Sequence, residues 1–266
     1  MTHKTLLFIL LTFSICQATI DLNLWERFVT QTTDLTIKGQ RMGRVSSTGK
    51  DASGYPVYFW SSTTQNWVND YQAGTSAMQM DFDSTIAWHL NEAGSVYRRS
   101  HSGGSWTQQN NCNAYDMKIG SGDHMWFIGI YAGGPKKAYK WNSASNQPID
   151  SGEEAVKVGV TVEGNAWIVK SNGDIKSFDG TSWTSVVGKA NDIIIGSDNK
   201  PIIVSQDVAD EGFVIKKWRN DGSWEVLSGI GGVRLALDDL DQVYVITNNN
   251  EVYRENGKLS VFCPSN

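Results

Sequence analysis

VKVGVTVEGNAWIVKSNGDIKSFDGTSWTSVVG, residues 156–188, alternates apolar and polar side chains between three points where the chain must turn: VEGN, SNGD and DGTS. A period of two marks a half-buried strand, and Asn-Gly or its like between two such runs marks a hairpin. The stretch therefore reads as four short antiparallel strands, VKVGV, AWIVK, DIKSF and SWTSVV, in about forty residues with their turns. No segment carries the 3.6-residue stripe of an amphipathic helix.

The same four elements recur along the chain, and internal repetition of this length is read before anything else. The outer-strand Trp183 has counterparts in Trp67, Trp106 and Trp224, 39, 77 and 41 residues apart, and Trp25 and Leu259 extend the series at the ends. Trp167 belongs to a second series with Trp88, Trp126, Ile202 and Tyr244, and Arg44 is its weak first member. A third runs VYFW at Val57, VYRR at Val96, AYKW at Ala138, IKSF at Ile175, IKKW at Ile215 and VYRE at Val252. Four strands per unit of about forty residues is the pattern of a propeller blade. The expectation is all-β: a six-bladed β-propeller with four-stranded antiparallel blades. Six sets of inner strands face seven outer-strand candidates. A ring leaves no open edge when the chain ends share a blade, so the Trp25 segment is expected to close the last blade as an N-terminal strand.

Composition agrees. The chain holds 26 Gly and 11 Trp against 5 Pro, which favours short strands and tight turns. The net charge of −5 gives no electrostatic pull toward nucleic acid or anionic lipid. Lys4, the apolar run from Leu6 to Ile15 and Cys16-Gln17-Ala18 have the layout of a signal peptide over residues 1–18, too short for a membrane span. A single propeller domain over residues 19–266 in a secreted, extracellular protein follows. Cys112 and Cys263 either pair there or stand as separate thiols. The histidines and cysteines form no metal-ligand spacing, and no cofactor motif is present.

Repeats of this kind, an apolar strand, a Gly-containing turn, W-I, then G-x-I-Y and G-x-x-W, resemble tectonin repeats, as in tachylectin-1-like and fish-egg-lectin-like proteins. The resemblance covers nearly the whole chain after residue 18. Copy three departs from it, with NQPID from Asn146 where the outer Trp belongs. It implies a secreted propeller that binds glycans on cell or microbial surfaces; some members bind other proteins instead.

The repeated indoles suit either sugar stacking or wedging between blades, and a Trp fixed at one structural position favours the wedge. Polar residues repeated at turns and on the third strand are better ligand candidates: Asn91, Arg98, Lys140, Asn172, Asp174, Lys217, Asn249 and Arg254. Asn or Asp beside a cation offers acceptors and donors matched to vicinal hydroxyls; a solvated strand face is the plainer account. No G-x-S-x-G, H-E-x-x-H or paired carboxylates for glycoside chemistry occur, so no enzyme is expected. SFDGTSW at Ser177 faintly resembles a sialidase Asp-box, but lacks a residue between Asp179 and Gly180. The expected function is that of a multivalent lectin, with a structural or protein-binding propeller of a surface coat or matrix as the alternative.

Overall fold

A computed structural model describes residues 25–38, 41–51, 54–61, 63–64, 66–70, 77–82, 85–100, 104–121, 124–130, 134–227 and 229–255. The segment 1–18, Cys263 and the LSVF run lie outside the described residues. Among the described residues there is no helix; the chain is all-β.

β1 (Trp25–Val29) is the first strand among the described residues. β2 (Thr32–Lys38), β3 (Arg41–Ser46), β4 (Val57–Ser61) and β5 (Asn66–Asn69) form an antiparallel sheet in chain order. β6 (Gln79–Phe82), β7 (Ile86–Leu90), β8 (Ser95–Ser100), β9 (Thr107–Ile119), β10 (Met125–Gly129), β11 (Lys137–Asn142) and β12 (Gln147–Glu154) form a seven-stranded one. A second seven-stranded sheet holds β13 (Lys157–Val160), β14 (Ala166–Val169), β15 (Asp174–Phe178), β16 (Trp183–Ile195), β17 (Pro201–Ala209), β18 (Gly212–Trp218) and β19 (Trp224–Val226). β20 (Arg234–Leu237), β21 (Val243–Ile246) and β22 (Val252–Glu255) pair in order, and β1 adds to the β22 edge, with Trp25 opposite Glu255 and Glu26 opposite Arg254.

The two long strands depart from the expected run of short strands and turns. β9 and β16 are each 13 residues. The first half of β9 pairs with β8 and the second with β10; β16 likewise serves β15 and then β17. The chain passes from the outer strand of one unit to the inner strand of the next without a turn, bending instead where the register shifts, as at Asp174/Ile175 and Ala190/Asp192. β12 is a sheet edge, which is where Pro148 is tolerated, since it has no N–H to offer a further strand.

β2, β6, β9, β13, β16 and β20 also pack on one another in that order, and β20 packs against β2. Apolar clusters fill the spaces between successive units. Trp126 and Ile128 meet Val158 and Ile168, with Phe178 and Trp183 at the border. Trp88 lies with Met117, Met125 and Phe127. The outer indoles are wedges. Trp106 donates from Nε1 to Asp70 Oδ2 (2.9 Å), Trp183 to the Ser151 carbonyl (3.3 Å) and Trp224 to the Val187 carbonyl (2.6 Å). Each leans on the preceding unit and satisfies its one donor there, Trp106 buried and Trp183 and Trp224 half-buried.

The SNGD hairpin is not a two-residue turn. The Gly173 N–H donates to the Lys170 carbonyl and Gly173 takes φ +86°, so the third loop residue is the left-handed one. A Cβ there would also lie 2.4 Å from Gln206 Nε2. Gly173→Ala is expected to destabilise by about 1–2 kcal/mol, read by urea unfolding; an unchanged midpoint would mean that the loop relaxes freely.

Candidate functional site

The inner strands share one register. Their first aligned position holds Asp34, Gln79, Asp116, Lys157, Asp192 and Arg234; two residues on stand Thr36, Asp81, Lys118, Gly159, Ile194 and Ala236. Alternation in a strand sends both positions to the same side, toward the centre that these strands surround, while Leu35, Met80, Met117, Val158, Ile193 and Leu235 turn into the sheets.

The central acceptors, three carboxylates and one amide, join neighbouring units. Asp34 Oδ2 accepts from the Met80 N–H (2.8 Å), Gln79 Oε1 from Met117 (3.1 Å), Asp116 Oδ2 from Val158 (2.9 Å) and Asp192 Oδ2 from Leu235 (3.2 Å). One level on, Asp81 Oδ2 accepts from Ile119 (2.9 Å) and Oδ1 from the Thr36 hydroxyl (2.8 Å). An inner-strand amide with no strand beside it must find a buried partner, and the preceding unit supplies one. Cations complete the arrangement. Arg234 lies 2.6 Å from Asp34 and 3.6 Å from Asp116, and Lys157 lies 3.1 Å from Asp116 and 3.8 Å from Asp192. Burial opposes the charge on Arg234, but the three aspartates raise its pKa above the ordinary value. Burial pushes the Asp34 carboxyl up against the pull of Arg234.

Beyond the second level the centre opens into a recess of about 30 Å³, room for a water or two. Thr36, Lys38, Asp81 and Lys118 line it together with the aliphatic Ile37, Ile119, Val160, Ile195 and Leu237. The turns around its mouth are linked in sequence: Ser121 Oγ donates to the Val162 carbonyl (2.8 Å), Asn199 Nδ2 to Glu163 Oε1 (3.2 Å), and Ser197 Oγ to Asp241 Oδ2 (2.6 Å). DDLDQ, the one carboxylate-rich turn in the sequence, is part of this rim. Its Asp238 Oδ1 accepts from the Leu240 and Gln242 amides, which is turn bracing.

The central residues carry no motif. Their trace in the sequence is one polar residue directly ahead of a buried apolar residue in each inner strand, and its chemical type changes from copy to copy. The repeated turn and third-strand residues lie elsewhere, spread one or two to a unit. Asn91 is buried, its Oδ1 accepting from the Ser95 N–H (2.8 Å). Asn172, Asp174 and Lys189 come together in the open: Asn172 Nδ2 donates to Asp174 Oδ2 (2.7 Å) and Lys189 Nζ to Asp174 Oδ1 (2.6 Å). These bonds hold the Asp174 carboxyl below its usual range, that of Lys189 foremost. Asn249 is exposed at the matching turn before β22. Arg98 covers the buried Trp88 ring at 5.6 Å, and Lys140 faces Trp126 across the strand pair. Lys217 stands opposite Ile202 and 3.7 Å from Asp198, and Arg254 stands opposite Tyr244. In the first repeat ring and cation exchange strands, with Arg44 4.8 Å from the Tyr58 ring centre. Arg44 is thus the same cross-strand pair reversed. Cys112 packs against the Trp88 cluster, and burial pushes its thiol up to about 12.

No protein-family model matches the chain, and no curated protein matches it. Solved structures do. The WD40 β-propeller domain of Doa1 is 13% identical with a TM-score of 0.59, covering 90% of this chain and 99% of that one. YCF48 bound to D1 peptide is 15% identical with a TM-score of 0.56, covering 90% and 84%. The streptogramin B lyase is 11% identical with a TM-score of 0.54, covering 86% and 96%. The chain has the β-propeller fold. At these identities the likeness speaks for the propeller architecture alone.

Proposed function

We propose that this propeller is a secreted, multivalent carbohydrate-binding protein without catalytic activity, built from six tectonin-like repeats with β1 completing the last blade. The observation that supports a sugar ligand is the exposed group at the β14–β15 turn. Asn172, Asp174 and Lys189 hold each other in place with side chains about half exposed for Asp174 and Lys189. Such a group presents donors and acceptors at fixed spacing, which suits vicinal hydroxyls. Lys140, Lys217, Arg98 and Arg254 offer further cations on other repeats, and Asn249 a further amide.

A monosaccharide of about twelve heavy atoms at ~0.3 kcal/mol per atom gives about 4 kcal/mol, a millimolar dissociation constant. Several such sites on one ring gain about a hundredfold or more on a surface displaying many copies. A glycan array is expected to show binding that free sugar inhibits, and Asp174→Ala with Lys189→Met is expected to weaken it several-fold. Binding to no glycan, with one protein recovered in fixed stoichiometry, would reverse the reading.

That outcome belongs to a second reading, a peptide- or protein-binding propeller. It is favoured by the peptide held by the neighbour YCF48 and by Leu240, 89% exposed on the rim. The non-catalytic part rests on the central carboxylates, each committed to an amide of the next unit. Turnover of a chromogenic glycoside panel, abolished by one carboxylate change, would overturn it.

A further inference from the structure

We infer that the central recess holds one monovalent anion of chloride size, bound by the Lys118 ammonium with Lys38 at the level above. The inference is independent of what binds at the strand-end turns. Its ligand is an ion fixed inside the ring, tying β2 to β9 across the centre.

Lys118 stands at the second aligned position, on β9, and is 8% exposed. Lys38 stands one level further out on β2, two residues on from Thr36, and is half-buried. Both line the recess, yet among the described residues neither ammonium makes a hydrogen bond or an ion pair. The cations of the first level do: Arg234 meets Asp34, and Lys157 meets Asp116. The one carboxylate in the lining is Asp81, and both its oxygens are engaged, Oδ2 by the Ile119 amide and Oδ1 by the Thr36 hydroxyl. The hydrogen-bonding capacity left facing the space is chiefly that of donors. A buried ammonium is costly unless an acceptor completes it. Burial works against the Lys118 charge, but Asp81, Asp34, Asp192 and Asp116 together hold its pKa above the ordinary lysine value, so the group stays an ammonium.

Size and charge name the ligand. About 30 Å³ is room for a water or two, and a chloride ion is little larger than a water. Phosphate, sulfate and any sugar are too large. Because the open groups are donors, the ligand must accept, which leaves water or a small anion. A cation would meet two ammonium groups. Charge separates water from anion. The lining sets Lys38 and Lys118 against Asp81, a surplus of one positive charge. The first level sets Asp34, Asp116 and Asp192 against Lys157 and Arg234, a surplus of one negative charge. Those three carboxylates are held by the Met80, Val158 and Leu235 amides and by their own cations. They are also a level further away, and Coulomb attraction falls with distance while gaining strength at low dielectric. An anion touching Lys118 answers the local surplus; a water completes the hydrogen bonds but leaves the charge.

The test follows thermal unfolding of the whole protein as sodium gluconate is exchanged for sodium chloride at constant ionic strength. Gluconate is too large for the recess. An ion that binds the folded state alone raises the Tm with its concentration. The wild-type Tm is expected to rise and level off. Lys38→Met is expected to need roughly tenfold more chloride for the same rise, the loss of one charged hydrogen bond, and Lys118→Met to show no chloride dependence. A wild-type crystal grown in sodium bromide is expected to show an anomalous peak in the recess, in contact with the Lys118 ammonium. Water alone in the recess, with no bromide peak, overturns the inference. So does a bromide peak with a Tm that ignores chloride, which is an adventitious ion only. A chloride response that Lys118→Met keeps in full overturns it too, by placing the ion elsewhere. Should Lys118→Met fail to fold, the wild-type titration and the bromide crystal still decide.

Discussion

Arg234→Met is expected to destabilise the protein by about 3–5 kcal/mol, the cost of breaking a buried ion pair from one side. Its Nη1 lies 2.6 Å from Asp34 and its Nη2 3.6 Å from Asp116, and both carboxylate side chains are 2% exposed. Without the guanidinium they remain fixed by the Met80 and Val158 amides, with no counter-charge of that strength. Adding Asp34→Asn should recover part of the loss, since an amide oxygen still accepts from Met80 and carries no charge. Lys157→Met should cost less, because its carboxylate partners lie farther off, at 3.1 and 3.8 Å, than the 2.6 Å contact of Arg234 with Asp34. Urea unfolding of the three variants is the measurement. A loss under about 1 kcal/mol for Arg234→Met would mean that the centre is solvated enough to screen its own charges.

Acid is expected to destabilise the protein steeply, and His89 is the cause with the largest single effect. Its side chain is fully buried, stacked on Tyr97 at 4.8 Å and meeting the edge of Trp106 at 4.5 Å. Among the described residues neither ring nitrogen has a hydrogen-bond partner. Burial, and secondarily the nearby Arg99, lower its pKa to about 3. In the unfolded chain it titrates near 6.5. Between those values the unfolded state takes up a proton that the folded state refuses. The stability is therefore complete above about pH 6.5 and falls by about 1.4 kcal/mol per unit as the pH drops, approaching 5 kcal/mol near pH 3. Asp34, with its pKa raised, acts in the opposite sense: it takes up its proton more readily when folded. His89→Phe keeps the ring stack and isolates the histidine. Unfolding free energies at pH 7, 6, 5 and 4 should fall less steeply in that variant by about one proton. Parallel slopes would clear His89.

The sequence was legible where one chemical type repeats. Trp106, Trp183 and Trp224 stand in the same letter at the same spacing, and their wedge role follows from a fixed position at each junction. Trp88, Trp126 and Trp167 mark a strand in the same way. The centre was not legible, because Asp34, Gln79, Asp116, Lys157, Asp192 and Arg234 share a position but not a chemical type, some accepting from an amide and others supplying counter-charge. Asp and Lys alternate there because each answers a charge on another unit, and one repeat read by itself does not contain that requirement. Arg44 looked like a defect for a related reason: cation and ring had traded strands, and only the pair with Tyr58 is constant. The absence of a turn inside β9 and β16 was hidden because bulges, unlike Asn-Gly hairpins, have no fixed residue. Among the turn candidates, Asn91 and Asn172 look alike as letters. Burial of one and exposure of the other depend on what packs over the turn.

The pairing of β1 with β22 also bears on how the molecule is made. Trp25 and Glu255 are partners across nearly the full length of the chain. A ribosome releases the first segment long before its partner exists, so β1 waits as a bare edge while every intervening hairpin forms. Contacts this distant in sequence carry the largest loop-closure cost and form slowly. The segment is exposed during that interval to pairing with another nascent copy, and a fragment truncated before residue 252 would keep that liability for good.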